Sequence, residues 1–250
     1  MALPLISHPV PDPRETPFIS SHYPAQGDLV AKFLLETGGE RFIDCTAGSG
    51  GHIQVLLEKT SRPIKVLALD IDPYAIIRLK ERFHHCSNVT VVQGDFRYLE
   101  RIAGEQRFLP VDGILADLGQ SREQLDEPHR GFSFERDGPL DMRYDPHSTI
   151  TAAHIVNTWT KNDLIKLFHK VGGEHRAVPI VHAIVANRPI HTTEELRAVI
   201  ESAAGKNFIF KTLSRIFMAL RVAVNGELEA IQELLLSSPD LLSPGGRLVV

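Results

Sequence analysis

Apolar and polar positions follow two rhythms along this chain. Between residues 41 and 117, short apolar runs alternate with amphipathic segments. Arg41-Phe-Ile-Asp-Cys45, Ile64-Lys-Val-Leu-Ala-Leu-Asp70, Val89-Thr-Val-Val92 and Val111-Asp-Gly-Ile-Leu-Ala-Asp117 read as four strands. The segments between the first three have a helical period. Gly50 to about Lys59 carries Ile53, Leu56 and Leu57 on one face, and Pro73–His84 opens with Asp72 as N-cap. Strands alternating with helices predict an α/β fold with a parallel sheet covered on both faces. Ahead of this series, residues 1–24 show neither period and read as a leader. A short helix follows it, with Leu29, Phe33 and Leu34 on one face, and Gly38-Gly39 ends it.

The rhythm changes after Asp117. Residues 122–147 are rich in Gly, Pro, Asp and Arg and read as a long ordered loop. From about Gln124 to Phe210 no strand is expected. Thr160 with Asp163, and Thr192 with Glu195, have the spacing of capping boxes and predict two helices. A long amphipathic helix is expected from Leu213 to about Leu236, with a weak point at Asn225-Gly226. Pro244-Gly245-Gly246 then reads as a turn into Arg247-Leu-Val-Val250, a fifth strand. These boundaries give a leader (1–24), a discontinuous α/β domain (25–125 and 211–250) and a helical insertion (126–210).

Composition narrows the function classes. The chain has 250 residues, 43% hydrophobic and 23% charged, with a formal net charge of −4. Such a balance suits a soluble globular protein and argues against a non-specific coat for nucleic acid. The two cysteines cannot by themselves build a disulfide framework or a zinc site. No apolar run approaches the roughly 18 residues of a membrane span, and no signal-peptide order is seen. A cytoplasmic protein without membrane or metal is therefore expected.

The candidate chemistry starts at Asp44-Cys-Thr-Ala-Gly48-Ser-Gly50-Gly51-His52, between a strand and a helix. Glycines there let backbone approach a ligand, and the helix N-terminus favours its polar groups. Asp70 ends the next strand, where an acid binds ribose hydroxyls. Gly94-Asp95-Phe96 follows the third strand and could flank an adenine ring. A dinucleotide fingerprint would need a glycine where Ile53 stands, and no triphosphate loop is present. The short glycine loop after an Asp-tipped strand instead resembles the S-adenosylmethionine loop of Rossmann-like methyltransferases.

The sharper likeness lies after the fourth strand. Asp117-Leu-Gly-Gln-Ser-Arg122, Arg130-Gly-Phe-Ser-Phe134 and Asp137-Gly-Pro-Leu-Asp-Met-Arg143 resemble the RsmH/MraW family. That family methylates the exocyclic amine of a cytosine in small-subunit ribosomal RNA. The resemblance covers roughly residues 22–250, with further matches at Gly172-Gly-Glu and Phe217 to Asn225. It implies a class I, Rossmann-like methyltransferase with an inserted helical domain for RNA recognition. It implies S-adenosylmethionine as cofactor and methyl transfer to cytidine N4 in 16S ribosomal RNA. Gly50, Gly51 and His52 would hold the methionine end and ribose region, Asp70 the ribose diol, and Phe96 the adenine. Asp117 and Gln124 would complete the pocket. Asp117 and Ser121 are the expected catalytic residues, as acceptors near the target amine. The family's second serine is replaced here by Arg122, and its usual glutamine before Ala219 by Met218.

Smaller signals complete the expectations. Residues 205–221 carry Lys206, Lys211, Arg215 and Arg221 among aromatics and no acid, which suits single-stranded RNA. An amphipathic helix with Phe208, Phe210 and Phe217 in the core is the compatible plainer reading. Asp126, Asp137 and Asp141 are expected to pair with Arg130, Arg136 and Arg143. Neither cysteine lies on the fourth-strand loop, so covalent attack on the base is not expected. The stop at Val250, inside a strand, predicts an apolar sheet edge, a homodimer or a tendency to aggregate, and weak turnover. Two rivals are a methyltransferase of small molecules or proteins, and a non-catalytic binder of RNA or the ribosome.

Overall fold

The computed structural model describes residues 24–205 and 209–250. Expectations for the leader, except Pro24, and for Lys206 and Phe208 lie outside the described residues. The chain divides into two compact units. One holds the residues through Gly94, Ala103–Ala116 and Leu242–Val249; the other holds Asp95–Ile102, Asp117–Leu241 and Val250.

The first unit is a five-stranded sheet in the order β3-β2-β1-β4-β5, with every pair parallel. Its strands are β1 (Arg41–Asp44), β2 (Lys65–Asp70), β3 (Val89–Gln93), β4 (Val111–Leu115) and β5 (Leu242–Val249). Helices α1 (Gly27–Leu35), α2 (Gly51–Lys59) and α3 (Pro73–Arg82) accompany them. A fourth helix, α4 (Leu99–Glu105), lies between β3 and β4 in the chain. The apolar run of β2 is fully buried, as expected of a strand covered on both faces. Asp72 caps α3 by accepting the Tyr74 amide at 2.9 Å, with Pro73 in the first turn. The order reverses between β1 and β4, the place where α/β sheets take ligands.

Two expectations change here. Helix α1 buries Gly27, Ala31 and Leu34, whereas Leu29 and Phe33 are exposed. Arg247 lies over the Phe33 ring and donates to its carbonyl at 2.8 Å. The Pro244-Gly245-Gly246 turn lies inside β5, not before it. Val111 pairs with Leu242, but Gly113 already pairs with Arg247, so residues 243–246 bulge out of register. A proline without an N–H and Gly245 at φ 84° suit such a bulge.

The second unit is helical. It contains α5 (Arg122–Asp126), α6 (Ala152–Thr158), α7 (Lys161–Lys166), α8 (Ala177–Ala186), α9 (Thr193–Ala204), α10 (Ile209–Asn225) and α11 (Glu227–Leu241). Its core includes Met142, Ile155, Phe168, Ile180, Ile216 and Leu220. Thr192 and Glu195 form the reciprocal capping box of α9. Thr160 caps α7 through the Asp163 amide, while its hydroxyl donates to the Asp163 carboxylate at 2.7 Å. A π-helical turn, Leu167–Val171, follows α7 and has no counterpart in the sequence pattern. No strand forms between 124 and 205 among the described residues, apart from one isolated bridge, Pro139 with Thr192. None of the described helices is long and apolar enough to cross a membrane.

The expected helix 213–236 is two helices, α10 and α11, broken at Gly226 with φ 58°. The cause is Asn225. Its Oδ1 accepts the Tyr144 amide at 2.8 Å, and its Nδ2 donates to the Met142 and Arg221 carbonyls at 2.8 and 2.9 Å. Met142 is fully buried with φ 65°, a conformation a long side chain adopts only when its surroundings impose it. Asn225→Ala strips partners from three part-buried backbone groups and is expected to destabilise the protein by about 2–4 kcal/mol. Denaturant unfolding measures that loss; a change under about 0.5 kcal/mol would separate Asn225 from the loop's conformation.

Candidate functional site

The glycine loop leaves β1 at the point where the strand order reverses. Cys45 donates its amide to Leu115, and Ala47 donates to Leu69, both at about 2.9 Å or less, so the loop starts pinned to β4 and β2. Gly50 is the N-cap of α2 at φ 82°. A Cβ there would stand 2.4 Å from the Phe83 ring, so no larger residue fits. Arg82 donates to the Ser49 carbonyl at 2.7 Å, a contact with no sequence signal beyond a cation in the last turn of α3. Gly51 and His52 open α2, where first-turn amides lack helical acceptors and suit polar or anionic groups.

Asp70 ends β2 and holds this loop. Its Oδ2 accepts the Gly48 amide at 2.7 Å and its Oδ1 accepts the Asp72 amide at 2.9 Å. Burial raises its pKa from 3.8 to about 6, against the two amide bonds that lower it. Each oxygen has acceptor capacity beyond one amide. This pair of acceptor oxygens therefore fits a vicinal diol, which offers two hydroxyl donors to one carboxylate. His52 differs from its neighbours. Its ring is buried, lies 3.0 Å from the Ala25 carbonyl through Nε2, and lines a small cavity with Asp44, Ile53 and Phe42. What His52 presents at the glycine loop is its backbone.

The other expected residues belong to the helical unit. Phe96 is half-buried in a 3₁₀ turn capped by Asp95, which accepts the Arg97 amide. Asp117 is exposed, two residues past the end of β4. Ser121 and Gln124 meet in a capping box. The serine oxygen accepts the Gln124 amide at 3.2 Å, and Gln124 Oε1 accepts the Ser121 amide at 2.9 Å. Both side chains thus already shape the start of α5. Cys45 is buried, and burial together with the Asp44 charge pushes its thiol well above the ordinary value, which disfavours a thiolate. The described residues contain no cluster of three or more metal-ligand side chains.

The basic run 205–221 is not uniform. Lys211 is exposed. Arg215 lies 3.5 Å from the buried Glu174 carboxylate, an acid from outside the run. Arg221 is bidentate to Glu227. Phe217 is core, whereas Phe210 is exposed and meets Phe134 edge-on at 5.1 Å. In the long loop, Arg136 pairs with Asp126, and Arg143 with Asp141. Asp137 and Arg130 do otherwise. Asp137 accepts the Glu194 amide at 3.3 Å, and Arg130 donates to the carbonyls of Arg143 and Tyr144.

Comparison with known proteins settles the family. The MraW methylase family matches residues 20–250. This chain belongs to the MraW methylase family. Among relatives, a "Ribosomal RNA small subunit methyltransferase H" of Thermomicrobium roseum is 46% identical over 94% of this chain and 74% of its own length. Proteins of the same name from Synechococcus elongatus and Dehalococcoides mccartyi are 42% and 43% identical, over 90% and 92% of this chain and 75% and 66% of their own. Among solved structures, a SAM-dependent methyltransferase from Aquifex aeolicus aligns at 15% identity over 58% of this chain and 77% of its own. Its TM-score of 0.28 is too low to carry weight.

Within this family member the Asp70 carboxyl sets a pH dependence. Its folded pKa of about 6 lies above the ordinary 3.8, so the folded state holds the proton that the unfolded state has lost between those values. Asp70 therefore withdraws stability as pH rises through that window, and its cost is complete above about pH 6. Unfolding of wild type and Asp70→Ala across pH 4–7 tests this: the stability advantage of wild type should shrink as pH rises. An advantage that grows with pH would place the carboxyl in a charge-stabilising site instead.

Proposed function

We propose that this protein transfers the methyl group of S-adenosylmethionine to the exocyclic N4 amine of a cytidine in small-subunit (16S) ribosomal RNA, in the cytoplasm. The reading is supported most by the family membership of residues 20–250, joined to a glycine loop clamped on a ribose-type acid. Gly50, Gly51 and His52 would bind the methionine end and ribose region, with His52 acting through its backbone. Asp70 would accept the ribose hydroxyls. Phe96, Asp117 and Gln124 would contribute to the cofactor pocket, Phe96 through its ring against the adenine.

Bound S-adenosylmethionine supplies a methyl already activated by its sulfonium, so the protein needs no covalent nucleophile. The target amine is a weak nucleophile because its lone pair is delocalised into the ring. Asp117 would accept one of its N–H bonds and turn its single lone pair toward the methyl; as the N–C bond forms the C–S bond breaks, the neutral thioether leaves, and the extra amine proton passes to Asp117 or to water. Ser121, whose oxygen already accepts an amide, would hold its hydroxyl in a fixed direction beside it. Alignment is then the principal contribution of the protein. The base must leave its stack to be reached, which suits an unpaired or extruded cytidine. The helical insertion (126–210) and the run with Lys206, Lys211 and Arg215 would grip the surrounding RNA. A homodimer is part of the reading, since β5 is an outer strand of the described sheet and outer strands carry unpaired backbone groups.

Labelled methyl transfer offered to small ribosomal subunits, free ribosomal RNA and total cell protein is expected to mark the RNA alone, at cytidine N4. Label on protein or on small molecules only would overturn the substrate; tight RNA binding without label would leave a binding protein.

The RNA-binding role of the lysines is tested with neutral substitutions, because an acid at 215 would face the buried Glu174. Lys206→Gln with Lys211→Gln should lower the slope of log K against log salt by about 1.4, roughly 0.7 for each single-strand phosphate that is no longer neutralised. Cofactor affinity should stay unchanged. An unaltered slope would remove both lysines from RNA binding.

A further inference from the structure

The segment between α7 and α8 departs from the charge balance of the chain. Residues 164–176 carry Lys166, Lys170, Arg176, His169 and His175 against one acid, Glu174, in a protein of formal net charge −4. Lys166 is paired with Asp163 at 3.7 Å. His169, Lys170, His175 and Arg176 are exposed, whereas Glu174 is 2% exposed. No role described above falls on these four exposed residues. Two of them stand on the π-turn Leu167–Val171, a backbone form that recurs at functional sites.

Contacts tie this segment to the basic helix α10. The Gly172 amide donates to the Leu167 carbonyl at 3.2 Å and closes the π-turn. Gly172 has no room for a side chain: a Cβ would stand 2.6 Å from the Phe168 carbonyl oxygen and 3.0 Å from that of Arg215. The segment therefore runs backbone against backbone with α10 at Arg215. Two residues on, the buried Glu174 serves both sides. Its Oε1 accepts the Arg176 amide at 2.8 Å, and its Oε2 lies 3.5 Å from Arg215 Nη1. Arg176 in turn donates from Nη1 to the Ala204 carbonyl at the end of α9. The rings of His169 and His175 meet edge to face, with centroids 6.3 Å apart, so the segment folds back on itself. Lys211 lies four residues before Arg215 on α10 and shares its face.

We propose that the segment 169–176 forms, with Arg215 and Lys211, a binding surface for the sugar–phosphate backbone of the substrate RNA. This deepens the reading of an RNA substrate given above and rests on it. It carries the RNA contact beyond the run 205–221. Lys170, Arg176 and Arg215 bring positive charge to phosphates. His169 and His175 offer ring N–H groups to phosphate oxygens or 2′-hydroxyls. Contacts of this kind position the RNA without choosing a base. Glu174 sets the turn against the helix from beneath, and its own charge is met by Arg215 and a backbone amide. An acidic protein surface is the other occupant that such chemistry admits, and the test separates the two.

The test uses the full chain. Affinity for free small-subunit ribosomal RNA and for intact small subunits is measured across salt concentrations. Calorimetry gives S-adenosylmethionine affinity, and thermal melting gives the folded fraction. K170Q with R176Q is expected to lower the slope of log K against log salt on free RNA by about 1.4, roughly 0.7 for each single-strand phosphate contact. H169Q with H175Q is expected to weaken binding to free RNA about tenfold, the size of two modest hydrogen bonds. K65Q removes an exposed lysine at the end of β2 opposite Asp70 and should leave the slope within about 0.2 of wild type. Cofactor affinity should stay unchanged in every variant. Unchanged binding of free RNA by either folded double variant overturns the proposal. So does a K65Q slope that falls as far per charge as that of K170Q with R176Q, because net charge alone would then explain the loss. Weaker binding to intact subunits with free RNA unaffected assigns the surface to a ribosomal protein and also overturns it. If R176Q does not fold, K170Q decides alone, with an expected fall of about 0.7. A wild-type chain that binds no RNA removes the substrate reading, and the proposal falls with it; a wild-type chain that does, beside unimpaired variants, removes the proposal only.

Discussion

The candidate site depends first on one carboxylate. Asp70 accepts the amides of Gly48 and Asp72, and so joins the tip of β2 to the glycine loop after β1 and to the cap of α3. The bonds come at an electrostatic cost, because burial outweighs them and leaves the carboxyl titrating at about 6. Each Asp70 oxygen is committed to one backbone amide, so the shape of the loop and the protonation of this carboxyl are coupled.

The helical unit depends on a different device. The string Arg130-Gly-Phe-Ser-Phe134 with Asp137-Gly-Pro-Leu-Asp-Met-Arg143 carries the family resemblance, yet most of it is architecture. A Cβ on Gly131 would stand 2.1 Å from the Pro139 carbonyl oxygen, so the chain passes itself there without room for any side chain. Arg143 spends its fork on Asp141 and donates to the carbonyls of Pro146 and Ser148. Arg130 is buried over Phe132 and closes the loop on Arg143 and Tyr144. Asp141, Arg143 and Arg130 hold a backbone, and Met142 at φ 65° shows how tightly they hold it.

The parallel sheet is legible in the sequence because its signals are local: apolar runs of strand length, an Asp72-Pro73 cap, glycines at a strand end. The Thr192–Glu195 capping box is legible for the same reason. What escapes depends on partners distant along the chain. Asn225-Gly226 is marked as a weak point by composition, but the break into two helices needs the loop at Met142 and Tyr144, some 80 residues earlier, to claim the Asn225 side chain. The bulge in β5 needs the register of Val111 and Gly113. The exposed face of α1 is hidden in the pattern because Phe33 is as apolar as Leu34; in the fold Phe33 stays 44% exposed with Arg247 over its ring.

The run from 205 to 221 shows why charge counted along a sequence misleads about nucleic acid. Its basic side chains read as one stripe because no acid lies among them. Acids from elsewhere divide them by task. Glu227 takes Arg221 out of any role at the surface, with both side chains largely buried. Glu174, itself buried, holds Arg215 at one edge while the arginine stays 42% exposed. Lys211 stays on the exposed face of α10. The run therefore holds three different environments, one buried pair, one arginine beside a buried acid and one exposed lysine, and a count of charges along the chain cannot tell them apart because the acids that separate them come from outside it.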